Sequence, residues 1–342
     1  MEKIERIRVG GLKVLEGGAC VVSSSPSGGN RLGEKICAPL ALNRINLSLL
    51  AHVAGDREVL CTAAPEGESA LSRLQFHAGP DSSLELLPGT IVLAVYPHSN
   101  RPEIIGHFIR SLARGRIKIH ALASSPSAIS AVLSSRRKKA AVNQLFEHFL
   151  FPSFDSPRDF FSAQGPPEEY VQKVVATYQE KVIKVYAIIP RPDLDLWGMS
   201  VPSADVLEGF ASALMDLAGL GLSVPFLVAI PGLGGKEFLL SFSLAGPTPG
   251  ADHGPEVRRL LKKHLPDSRP MRLTPVAGIF LHGPHFGDRY GIAYTLLQAL
   301  AQARVTLLAL SCTISSISLI IRQHELALAQ MVLGKTFEAQ VE

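Results

Sequence analysis

Residues 100–133 of this chain recur at 288–321 with a constant offset of 188 and no gap. Ten positions are identical: Arg101/Arg289, Ile104/Ile292, Leu112/Leu300, Ala113/Ala301, Arg116/Arg304, Ala121/Ala309, Leu122/Leu310, Ser127/Ser315, Ile129/Ile317 and Ser130/Ser318. Most other pairs exchange one apolar residue for another. Each copy reads as a polar turn, an amphipathic helix, a strand, a Ser-rich hairpin and a second strand, which is the middle of a βαββαβ unit. A repeat sets the building block before any residue is given a role.

The same pattern lays out four segments: 1–88, 89–151, 181–268 and 269–342, with a linker and helix at 152–180. In the first, the turn is 30–33 and the central strand 45–50; in the second, the turn is 100–103 and the strand 117–120. Arg44-Ile45 and Arg116-Ile117 stand at equivalent places just before these strands. The third opens on a β-branched strand at 182–189, then a helix at 205–217 and strands at 222–230 and 238–244. The fourth opens near 276–281 and turns at 288–291. Ile292, Leu296 and Leu300, like Ile104, Phe108 and Leu112, recur at helical spacing. Pro102 suits a first helical turn, whereas Pro39 predicts a short or broken helix in the first segment. Residues 168–179 read as a helix joining two halves of two units each.

With 46% hydrophobic and 19% charged residues the chain is globular. A net charge of +4 without aromatics interleaved among basic residues argues against nucleic acid. The runs 136–139 and 258–263 read as solvated helix faces. Cys20, Cys37, Cys61 and Cys312 form no CxxC pair, so reduced thiols in a cytoplasmic protein are expected. The first residues lack an apolar signal core. The apolar run 305–321 falls short of the roughly 20 residues of a membrane helix and contains Ser311, Thr313, Ser315, Ser316 and Ser318, so no membrane association is expected.

Asp288-Arg289-Tyr290-Gly291-Ile292-Ala293, followed by residues 300–307, resembles the ACT domain, in which a D-R-P-G turn opens the first helix and an A-x-A-G-I-N-I run enters the second strand. The hairpin at 310–319 and the opening at 7–14 resemble the ACT pairs in the C-terminal regulatory region of aspartate kinases. The likeness is good over 276–334, fair over 89–150, and thinner over 7–75 and 181–266. Tyr290 replaces the usual Pro, Glu103 the usual Gly, and the third segment has Ser203-Ala204-Asp205 with no Arg. The K-F-G-G signature of the kinase domain is absent. The resemblance implies an α+β fold of four ferredoxin-like ACT-type units in two side-by-side pairs.

A helix N-terminus presents unpaired amides and partial positive charge, and so suits a carboxylate. The loop Gly283, His285, Phe286, Gly287, Asp288 and Arg289 precedes such a helix, and Asp288 could take an ammonium group or serve only as a helix cap. Ser311, Ser315 and Ser316 would complete an amino-acid pocket, or merely satisfy a hairpin. In ACT proteins effectors lie where two units meet, so His98, Ser99, Asn100 and Arg101 of the equivalent loop are included. His282 and His285 have H-x-x-H spacing without a further ligand, and no metal or cofactor is expected. His98 and His120 otherwise read as surface or edge residues. A Cys312–His285 nucleophile pair lacks a third orienting residue. Gly232 to Lys236 does not fit a phosphate loop and reads as a hairpin turn.

The function expected from these readings is a non-catalytic regulatory protein, not an enzyme. It would bind an amino acid between ACT units, form a homo-oligomer such as a dimer, and regulate a partner enzyme such as aspartate kinase in trans. A ligand-free interaction scaffold is the alternative, and an unrecognised enzyme the third.

Overall fold

A computed structural model of the chain describes residues 6–26, 31–64, 71, 83–163, 183–202, 206–232, 237–248, 251–283, 289–313 and 316–339. Among them a long strand, a helix and a hairpin follow one another four times. The first succession is β2 (Gly11–Pro26), α1 (Arg31–Leu42), β3 (Leu49–Ala54) and β4 (Arg57–Ala64). The second is β5 (Ser83–Tyr96), α2 (Pro102–Arg114), β6 (Ile119–Ser125) and β7 (Ala128–Ser134), closed by α3 (Lys138–His148). The third is β10 (Ala187–Val201), α5 (Leu207–Gly219), β11 (Ser223–Pro231) and β12 (Phe238–Ala245), closed by α6 (Gly254–His264). The fourth is β13 (Met271–His282), α7 (Ile292–Gln302), β14 (Leu307–Cys312) and β15 (Ser316–Arg322), closed by α8 (Leu326–Thr336). Shorter pieces are β1 (Ile7–Arg8), β8 (Phe149–Leu150), α4 (Pro157–Ala163), β9 (Ile183–Val185) and β16 (Phe337–Ala339). No described helix is long and apolar enough to cross a membrane.

Each helix-to-strand passage is built the same way. Ile45, Ile117, Leu222 and Val305 donate their amides to the carbonyls of Leu40, Leu112, Leu217 and Leu300, five residues back. The residue before each, Arg44, Arg116, Gly221 or Arg304, is left-handed, with φ of 57°, 50°, 70° and 58°. This is the helix stop in which one left-handed residue lets two amides satisfy the last carbonyls. The arginines recognised at equivalent places in the sequence are these stops. They do not lead directly into strands: β3 starts at Leu49 and β6 at Ile119.

The helices form because their apolar residues share a face. Ile104, Ile105, Phe108, Ile109 and Leu112 of α2 are buried, with Glu103 and Arg114 at the ends where the helix dipole favours them. α1 is continuous through Pro39, contrary to the expected break. Pro39 lies near the C-terminal end, and its carbonyl is taken by the Asn43 amide at 3.0 Å and Nδ2 at 2.8 Å.

The twelve long strands form one closed antiparallel barrel in the order β10-β12-β11-β6-β7-β5-β2-β4-β3-β14-β15-β13. The edges meet between distant parts of the chain. β6 pairs with β11, as Leu122↔Ala229, and β3 with β14, as Leu50↔Cys312. The side-by-side joins therefore link the second succession to the third and the first to the fourth, crossing between the halves read from the sequence. Helices follow suit: α2 packs on α5 and α1 on α7. A Cβ at Gly106 would meet the Ala211 carbonyl at 2.9 Å, so α2 and α5 approach at a residue without a side chain.

Three apolar clusters result. One lies under α2, α3, α5 and α6, a second under α1, α7 and α8, and a third fills the space between the two sheet faces. The last mixes small residues such as Cys20, Ala51, Cys61, Ala63, Ala121, Ala123 and Ala309 with larger ones such as Leu49, Phe226 and Ile230. The longest strands change layers. Leu12 of β2 belongs to the first cluster and Val21 to the second; Leu86 of β5 belongs beside the second and Ile91 in the first. β5 thus runs through residues 88 and 89 without interruption. Residues 168–179 lie outside those described.

Candidate functional site

A small recess of about 20 Å³, room for about one water molecule, lies where the first and fourth successions meet. One wall is the end of α1 and the turn after it: Cys37, Leu40, Ala41, Ile45, Asn46 and Leu47. The other is the start of α7: Arg289, Gly291, Ile292, Ala293 and Tyr294, with Cys312 at the base. Gly291 has φ 84° and precedes the helix, a conformation that side chains other than hydrogen resist. The first amides of α7 face this end of the helix, with its partial positive charge. Tyr294 places its hydroxyl within 3.0 Å of Gln298 Nε2, which donates to it. The cleft thus combines an apolar base, a helix N-terminus, one guanidinium, one amide side chain and one phenol.

Both thiols here are buried. Burial pushes Cys312 up to about 12, and burial together with nearby Cys312 pushes Cys37 up as well. A thiol held neutral is a poor nucleophile, so the geometry gives no support to a Cys312 nucleophile. No group of three metal-ligating side chains exists among the described residues.

The equivalent turn in the second succession is filled from within. His98 is fully buried, not a surface residue as expected. Its Nε2 donates to the Ser125 carbonyl, and its Nδ1 accepts the Asn100 amide at 3.1 Å. Burial lowers its pKa to about 4, so the ring is neutral. The Asn100 carbonyl accepts the Val224 amide at 2.8 Å, fastening the turn to β11. Ser99 and Arg101 face outward, onto an open groove of about 320 Å³ shared with Arg8, Pro97 and Pro152. Arg101 pairs with Glu103 at 2.6 Å.

The sequence-derived site residues therefore divide. Arg289 lines the cleft. Ser311 and Ser316 do not: alternation along a strand puts Cys312 on the helix side and Ser311 on the opposite face, between the sheets. Ser311 Oγ donates to the Ser124 carbonyl at 2.6 Å, and Ser316 Oγ donates to Ser125 Oγ at 2.5 Å. Ser125 Oγ and Thr313 Oγ1, residues 188 apart, lie 2.9 Å from each other. The two copies of the hairpin thus meet face to face about a local two-fold axis, through hydroxyls. Gly283 is buried at the end of β13 and is not among the described lining residues. His285, Phe286, Gly287, Asp288 and Ser315 lie outside the described residues. His98 and Asn100 face inward, apart from Ser99 and Arg101. Sequence reasoning missed Cys37, Ala41, Asn46 and Tyr294, because nothing local says that α1 meets α7. The Asn46 turn follows the recurring Arg-Ile pair, the one signal that marked it.

No family model matches the sequence, and no curated protein matches it. Among solved structures, the fold superposes on an aspartate kinase from Synechocystis with a TM-score of 0.76 at 16% identity, over 98% of this chain and 57% of that one. The chain thus spans a little over half the length of that enzyme. The ligand-free regulatory subunit of aspartate kinase from Thermus thermophilus superposes at a TM-score of 0.39 and 17% identity, over 45% of this chain and 99% of that one, too loosely to carry weight. The first likeness overturns the expectation of a non-catalytic protein that is not an enzyme: a solved structure that superposes on 98% of this chain, over 57% of its own length, is an enzyme. A missing K-F-G-G signature is a local fact and could not decide that question.

Proposed function

We propose that this chain works in aspartate phosphorylation, as the ligand-responsive portion of an aspartate-kinase-type enzyme, and that an amino acid binds at the junction of α1 and α7, whose small recess widens to admit it. The observation that carries the reading is the shared fold over 98% of the chain. The four strand–helix–hairpin successions are read as four ACT-type units, the second opening with β5 rather than at residue 89. In the cleft the amides of α7 and Arg289 suit a carboxylate, and Asn46 and the Tyr294 hydroxyl suit the polar groups beside it. The apolar floor of Ile45, Leu47 and Cys312 suits an aliphatic stem. The self-filled turn at His98 leaves the first–fourth junction as the favoured site.

Thermal unfolding against the twenty amino acids, paired with ATP- and aspartate-dependent phosphoryl transfer by the protein that contains this chain, tests the reading. A ligand at about 100 times its Kd adds about 2.7 kcal/mol to stability. One amino acid is expected to raise the melting temperature and change the transfer rate, and Ala41→Leu, which narrows the cleft, to abolish both with the fold retained. No transfer to aspartate and no shift with any amino acid would sink the proposal.

A further inference from the structure

Cys20 of β2 and Cys61 of β4 meet inside the barrel. The two strands pair antiparallel, with Cys20 opposite Ala63 and Cys61 opposite Val22, so the cysteines are diagonal neighbours across the pair. Both belong to the cluster between the sheet faces, and both are 0% exposed. Their sulfurs lie 3.1 Å apart, within about 1 Å of the roughly 2.05 Å of a covalent S–S bond.

Packing alone does not call for two cysteines here. Neighbouring positions on the same face are filled by Leu49, Ala51 and Ala63. β10 and β12, which hold the same places in the third succession, carry no cysteine. The other two cysteines, Cys37 and Cys312, belong to the second cluster, on the helix side of the sheet.

We propose that Cys20 and Cys61 are a disulfide site: on oxidation they join, stapling β2 to β4 and closing a loop that contains α1 and β3. The step is a thiol–disulfide exchange with a small-molecule disulfide of the glutathione class. The thiolate of one cysteine attacks that disulfide, forms a mixed disulfide and expels one small thiol. The second cysteine gives up its proton, attacks the protein sulfur of the mixed disulfide and expels the other small thiol. The protein loses two electrons and two protons, and the small disulfide takes up both as it becomes two thiols.

Burial sets the timing. The contact with Cys20 and then burial push the Cys61 thiol well up, and a neutral thiol is a poor nucleophile. At 0% exposure neither sulfur can be touched by a small molecule. Exchange therefore belongs to states in which β2 and β4 are paired and the barrel is still open, and the same burial shields the finished bond from reductants. The staple fixes the first succession as a unit, including β3, whose outer edge pairs with β14 from the far end of the chain. The inference is independent of the amino-acid reading.

The full chain is unfolded in denaturant, refolded in a mixture of oxidised and reduced glutathione, quenched with acid, alkylated and digested. A peptide pair joined through Cys20 and Cys61 is expected by mass spectrometry, with Cys37 and Cys312 alkylated. The oxidised protein is expected to melt about 3–8 °C above the dithiothreitol-reduced protein, because a cross-link over so long a loop restricts the unfolded chain. Cys61→Ala exchanges one small residue for another in a face already rich in alanine, and its melting temperature is expected to be the same under both conditions. Glutathione added to the protein already folded is expected to form the bond about tenfold more slowly or less. Absence of the linked peptide after refolding, a link through Cys37 or Cys312 instead, or an oxidised protein that melts no higher than the reduced one overturns the proposal. A bond that forms as fast in the folded protein overturns the timing.

Discussion

The chain enters a helix through the same arginine-bearing turn at Arg101 and again at Arg289, and the two entrances are finished differently. At the first, a histidine ring and two hydrogen bonds occupy the space beneath the turn, Pro102 starts the helix, and Glu103 is held by Arg101. At the second, the helix starts at a left-handed glycine, and a cleft remains between it and α1. One turn pattern is thus closed by a histidine ring in one place and borders a small recess beside α1 in the other.

The largest expected effect is on acid stability, and it falls on the packed side. His98 and His52 are buried and neutral, each with its pKa lowered by burial from 6.5 to about 4. Below 6.5 the unfolded chain takes up these protons and the folded chain does not. Stability is therefore full above about pH 6.5 and falls as pH drops toward 4. A 2.5-unit difference corresponds to about 3 kcal/mol per group. Denaturant unfolding at pH 7, 5.5 and 4 measures the slope, and His98→Phe is expected to remove about half of it. An unchanged slope in that variant would mean that His98 is not held neutral.

Emptying the packed joint comes next. His98→Ala removes a buried ring and leaves the Ser125 carbonyl and Asn100 amide without that partner, at a cost of about 2–4 kcal/mol at pH 7. If the comparison is right, it also gives the second succession a recess where it had none, which a crystal structure of the variant would reveal. Thr313→Val tests what the two copies share. It withdraws one hydroxyl from the contact with Ser125 and is expected to cost about 1–2 kcal/mol in chemical unfolding. The smallest effect separates the two helix starts. Gly291→Ala meets Ala41 only at an ordinary 3.7 Å but must hold φ near 84°, so it is expected to cost about 1 kcal/mol. Glu103→Ala, at the matching position, is expected to change stability by less than about 0.5 kcal/mol. Equal losses would erase the distinction.

Much of the local structure was legible. The repeat offset predicted strands, helices and hairpins within a few residues, because helix period and strand alternation are written in adjacent side chains. Two of the four helix stops, Arg44 and Arg116, fall in the Arg-Ile pairs read as standing just before strands; their left-handed geometry was not legible. Three features were hidden. The joins of β3 to β14 and β6 to β11 depend on complementary edges far apart in sequence, and so the cleft they create was hidden too. The layer change of β2 and β5 leaves no mark, since both layers bury apolar residues. The serines left two readings open, the polar side of a pocket or the satisfaction of a hairpin; Ser311 lies on the sealed face between the sheets, hydrogen-bonded to the other hairpin. His98 reads as a surface residue until the carbonyl that accepts its proton is seen.

The closed ring of strands has a consequence for how the molecule is made. The pairing of Leu50 with Cys312 cannot form until almost the whole chain is available, and contacts this remote slow folding. Until then β3 and its neighbours present unpaired amides and carbonyls, the kind of edge on which nascent chains stick to one another. Yield during synthesis should therefore be governed by how long those first strands wait for the last ones, more than by the stability of the finished barrel.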